Sequence, residues 1–190
     1  MANATLDHDA VDTDGYLRSY YLVRGAVSVL WVAAALAVGH QSALLAAVLL
    51  VLYPAWDAVA NVADARRNGG MRRNTTQAVN AAVSGLTTIA VGIALAVGLN
   101  AVLGVFGVWA GLSGLLQLAT AVRRRQAVGA QWVMVLSGAQ STLAGLMFLV
   151  KAGAAETPGV ADIAPYAAFG AFYFLMSALW LTVSARRRRR

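Results

Sequence analysis

The chain contains no cysteine, which excludes a disulfide framework, a thiolate metal site and a cysteine nucleophile. Histidine is almost missing too, and His8 and His40 leave little for imidazole metal chemistry. Charged residues make up only 12% of the sequence, about half the share found in soluble domains. Apolar residues take their place, at 59% even before the 18 glycines are counted. So much apolar sequence excludes a water-soluble globular domain. The net charge is +7, and every base except Lys151 is an arginine.

The few charges cluster, and the gaps between clusters measure membrane spans. No Asp, Glu, Lys or Arg occurs in 25–56, 74–122, 126–150 or 163–185. A helix needs roughly 20 apolar residues to cross the hydrocarbon. The stretch 74–122 therefore holds two spans, with a turn at Gly98-Leu99-Asn100. The first stretch and its flanks hold two more, broken at Gly39-His40-Gln41-Ser42. The predicted fold is an all-α membrane protein of six helices, at 17–38, 43–65, 76–97, 101–122, 130–151 and 163–185. The runs are continuously apolar, without the period-two alternation of an outer-membrane β-strand.

Arginine sets the expected orientation. Arg66, Arg67, Arg72 and Arg73 lie between helices 2 and 3, Arg123, Arg124 and Arg125 between helices 4 and 5, and Arg186 to Arg190 form the tail. Arg18 falls on the same side, and the opposite loops hold only Lys151. The positive-inside rule then places both termini in the cytoplasm. Residues 1–16 carry Asp7, Asp9, Asp12 and Asp14, without the basic start or cleavage site of a signal peptide. They read as a disordered acidic tail, with folding back onto the arginine loops as the alternative.

The helices repeat. Arg24-Gly25, Ser84-Gly85 and Ser137-Gly138 open the odd helices alike, and seven residues after each glycine come Val32, Gly92 and Gly145. In the even helices Tyr53, Trp109 and Tyr173 each precede a polar residue by four positions: Asp57, Ser113 and Ser177. Aromatic and polar residue thus share a helix face. The chain reads as three parallel hairpins, 17–65, 76–122 and 130–185, packed about a pseudo-threefold axis. In these hairpins, the early Arg-Gly, the aromatic before Asp57 and the Arg-rich helix ends, it resembles the HdeD-like family of short-repeat bacterial membrane proteins. The resemblance covers about residues 17–185. It departs where Ala58, not glycine, follows Asp57, and where only Pro158-Gly159 supplies proline to an outer turn. The resemblance implies a role in acid resistance and no catalytic residues.

Ionisable groups inside a bilayer cost about 2.5–3.5 kcal/mol each on insertion scales, so each one needs a reason. Three qualify: Arg24, Asp57 and Asp64. Arg24 lies roughly 10 Å below the cytoplasmic edge and Asp57 roughly 13 Å, at 1.5 Å per residue. Their matching depths suggest an ion pair, as a clasp within hairpin 1 or as a proton-responsive site; Arg24 snorkelling alone is the other reading. Asp64, on the same face nearer the headgroups, is expected to be solvated or bound by Arg66 to Arg73, with a relay beside Asp57 as its secondary role. Gly107 and Gly111 form a Gly-xxx-Gly ridge for packing within the bundle or between copies. Ser84, Gln117, Gln140, Ser141 and their polar neighbours are candidates for interhelical hydrogen bonds.

No motif of an enzyme is present, so the expected activity is non-enzymatic, with no cofactor and no metal. Envelope or acid-stress protection, or membrane scaffolding, is the leading expectation. A small transporter or channel using Arg24 and Asp57 is one alternative, and an accessory subunit of a larger membrane complex is another. The arginine clusters, Arg66, Arg67, Arg72, Arg73, Arg123 to Arg125 and Arg186 onward, suit anionic lipid headgroups. Without aromatic interleaving they do not suit nucleic acid.

Overall fold

The computed structural model describes the backbone of residues 2–123 and 131–188, and the side chains of 15–119, 121–122 and 135–187. The long elements are six helices: α1 (Ala2–Val38), α2 (Ala43–Arg67), α3 (Thr75–Leu95), α4 (Leu99–Arg123), α5 (Gln131–Ala152) and α6 (Ala164–Arg188). A 3-10 turn at Val160–Asp162 precedes α6. All six helices contain a stretch long and apolar enough to cross a membrane, and no strand occurs among the described residues. In α1 that stretch is Gly15–Val38, and the acidic segment before it continues the helix as far back as Ala2.

The helix ends follow local chemistry. Ser42 starts α2 by accepting a hydrogen bond from the Leu44 amide at 3.2 Å. Gly69 and Gly70, at φ +94° and +93°, end it, and the Gly70 N–H bonds back to the Ala65 carbonyl at 2.8 Å. Asn74 then pins the connection by donating to the carbonyls of Asn68 and Gly70 at 2.6 and 3.0 Å. Gly98, at φ +143°, closes the turn between α3 and α4. Pro54 sits buried inside α2, where its missing N–H leaves one helical bond unmade.

Contacts divide the chain into two compact units, residues 34–166 and residues 1–33 with 167–190. In the first, α2 packs on α3, α3 on α4 and α4 on α5. Leu50, Val91, Val102, Leu103 and Phe106 form its dry interior. Leu86, Ile93, Leu143, Met147 and Val150 are exposed on α3 and α5, the outward apolar surface that a helix in lipid requires.

Glycine sets the spacing of α4 and α5. A Cβ on Gly145 would lie 2.5 Å from the Gly111 amide nitrogen and 2.7 Å from the Gly107 carbonyl. The missing side chain of Gly145 thus lets α5 approach the α4 backbone beside Gly107 and Gly111. In the other unit, Tyr21 of α1 stacks on Phe174 of α6 with ring centroids 6.3 Å apart. Leu175 lies over Gly25, where a Cβ would come within 2.7 Å of it.

Candidate functional site

Four polar residues of α2 and its C-cap fall on one face at helical spacing: Asp57, Asn61, Asp64 and, at the cap, Asn68. Each asparagine clasps the aspartate one turn earlier. Asn61 Nδ2 donates to the Asp57 carbonyl at 2.8 Å and to its carboxylate at 3.0 Å. Asn68 does the same for Asp64, with both distances 2.9 Å. Asp64 is only 5% exposed. Burial and an amide partner thus replace the solvation expected of Asp64. A carboxylate removed from water needs hydrogen bonds in exchange, and the i+4 amide supplies them.

Asp57 also reaches the neighbouring helices. The Ser84 hydroxyl of α3 donates to its Oδ2 at 2.7 Å, and the Trp109 indole of α4 donates to Ser84 Oγ at 3.2 Å. One chain of donors thus runs from α4 through α3 to the middle of α2. Ser84 is 1% exposed and Trp109 6%, so water does not compete for these bonds. Beyond Trp109 the path is aromatic. Its ring meets Tyr53, Phe106 and Tyr166 edge-on, at 5.8, 5.7 and 6.3 Å between centroids. Ser141 of α5 donates to the Ala110 carbonyl at 2.9 Å and shares a hydrogen with the Tyr166 hydroxyl at 3.2 Å.

Arg24 belongs to the other unit. It donates to the Tyr20 hydroxyl at 2.8 Å, and its guanidinium stands 4.3 Å from the centre of the Phe174 ring. Arg24 and Asp57, expected to pair, lie in separate units. Gln117 accepts from Ser137 at a long 3.4 Å.

Arg66, Arg67, Arg72 and Arg73 are exposed at the α2–α3 connection, as is Arg186 at the end of α6. Arg124 and Arg125 lie outside the described residues, as does the side chain of Arg123. No group of three or more His, Cys, Asp or Glu able to hold a metal ion occurs among the described residues.

Sequence reasoning marked Asp57 and Ser84 separately and missed that they bond. It also missed Asn61 and Asn68, although the signal was present: Asp-x-x-x-Asn occurs twice along α2 and its C-cap, at 57–61 and 64–68. A family model described as a short repeat of unknown function (DUF308) matches residues 83–150. That segment contains Ser84, Trp109 and the glycine contacts of α4 with α5. No curated protein and no solved structure matches the chain.

Proposed function

We propose that this multi-pass membrane protein is a non-enzymatic, HdeD-like component of the bacterial cell membrane that protects the envelope under stress such as acid. The observation that supports this most is the buried hydrogen-bond chain Asp57–Ser84–Trp109. Its polar groups serve one another and end against packed aromatic rings, the economy of a structural core more than of a conduit. The short-repeat match over 83–150 supports the same reading. The arginine pattern supports cytoplasmic termini, with the arginine loops against anionic headgroups. The repeat-equivalent positions support three hairpins about a pseudo-threefold axis, with Arg24 and Asp57 paired inside the first.

Deletion of the gene tests the role. Survival at low external pH should fall, and the wild-type protein should restore it. Restoration by Asp57→Asn would separate protein presence from carboxylate chemistry. Unchanged survival of the deletion strain would remove the acid-stress role.

A further inference from the structure

Residues 153–163 join α5 to α6 and lie as a strap across one end of the 34–166 unit. Asp162 holds the strap from two sides. One carboxylate oxygen accepts from Lys151 Nζ of α5 at 2.5 Å, and the other accepts from the Gly159 N–H at 2.6 Å. At the start of α4, Asn100 donates to the carbonyls of Ala152 and Ala154 at 3.2 and 3.1 Å. Between these ties Pro158, Val160 and Ile163 are buried. Pro158 and Ile163 close an apolar recess against Leu50, Leu99, Val102 and Leu103.

We propose that this strap is an acid-released latch: it is closed while Asp162 is ionised and loosens locally when Asp162 takes a proton. Protonation removes the counter-charge of Lys151 and weakens the acceptor of the Gly159 N–H, while the helices keep their own contacts. The charged group that acts on Asp162 is Lys151 from α5, which in turn feels Glu156 of the strap itself. His40 occupies the α1–α2 turn beside Gly39, which faces Val160. No acidic or basic side chain occurs in α2 from 43 to 56 or in α4 from 99 to 122.

Burial pushes the Asp162 carboxyl up, but the hydrogen bonds from Lys151 and Gly159 and the attraction of Lys151 outweigh it. The group is held below its ordinary value of 3.8. A carboxyl depressed in this way stabilises the closed strap above its ordinary range, and that contribution is lost as pH falls through the depressed value. The latch therefore survives mild acidity and yields under strong acid. Its bearing on external acid rests on the proposed orientation, which puts the strap outside the cell.

The absence of cysteine makes a site-directed spin label clean. Ala161, exposed in the 3-10 turn, is replaced by cysteine, labelled, and followed by electron paramagnetic resonance in nanodiscs from pH 7.5 to 2.5. The mobile-to-immobile ratio should rise below the ordinary carboxyl range, by up to about tenfold per pH unit for one proton. Asp162→Asn should be mobile throughout. Lys151→Gln should move the midpoint up, since the cation that depresses it is gone. A spectrum unchanged over the whole range overturns the latch, as does Asp162→Asn as immobile as the parent. If that variant fails to fold, an unmoved midpoint in Lys151→Gln overturns it. A label at Leu146, exposed on α5, should stay unchanged, and its loosening in step with Ala161 would mean general unfolding and overturn a local latch. Nanodiscs open both faces, so these outcomes do not depend on orientation. Labelling of the Ala161 cysteine in intact cells by an impermeant maleimide supports the outward placement, and its failure overturns only the link to external acid.

Discussion

Ser84 donates its hydroxyl to the Asp57 carboxylate at 2.7 Å and accepts the Trp109 indole N–H at 3.2 Å, so one side chain joins three helices. A hydroxyl can do both because it carries a donor and acceptor lone pairs.

Removal of that hydroxyl should be felt twice. Ser84→Ala takes a donor from Asp57 and strands the Trp109 N–H in a dry site. Loss of a buried partner costs about 1–3 kcal/mol in soluble proteins, and interhelical bonds in membranes average nearer 0.6 kcal/mol. The thermal midpoint in detergent should therefore drop clearly for Ser84→Ala. Ser137→Ala, which loses only the long 3.4 Å contact with Gln117, should barely move it. Equal effects would mean that the hydroxyl chain contributes nothing particular.

The proposed Arg24–Asp57 pair calls for a double-mutant cycle. Asp57→Asn keeps an oxygen for Ser84 and Asn61 while removing the charge, so the cycle reads the ionic part alone. Asp57→Asn should lower stability, and Arg24→Gln added to it should cost little more, because the partner charge is already absent. Arg24 also holds Tyr20 and Phe174, so a residual loss from those contacts is expected in both backgrounds. Fully additive losses reject the pair.

The glycines that face each other between α4 and α5 should differ sharply in tolerance. A methyl at Gly145 would press on the Gly111 and Gly107 backbone at 2.5 and 2.7 Å, and backbone cannot step aside. Gly145→Ala should cost about 1–3 kcal/mol by overpacking. At Gly111 the Cβ direction is open, and alanine there gains helix propensity. Gly111→Ala should fold as well as the parent or better, measured by thermal unfolding or by the yield of monodisperse protein. Matching losses at the two positions would contradict the close approach of α4 and α5.

The sequence alone determined that six spans exist and roughly where each lies, but not that α1 continues back to Ala2. Missing charge is a property of position along the chain, and so is the glycine that a turn requires. The turns at 39–42 and at Gly98 therefore follow from composition and local backbone chemistry. Asp57 was legible as a residue in need of partners for the same reason, since a carboxylate about nine residues inside a span announces its own cost.

Tertiary structure decided what each of these residues meets. Asp64 illustrates the difference: its distance from Arg66 suggested the headgroups, yet Asn68 and the surrounding packing bury it. Sequence position gives depth along a helix axis, at 1.5 Å per residue. Rotation about that axis is fixed by neighbouring helices, through contacts such as Gly145 against Gly111 and Ser84 against Asp57. Depth was therefore readable in one dimension, whereas partnership required the packed bundle.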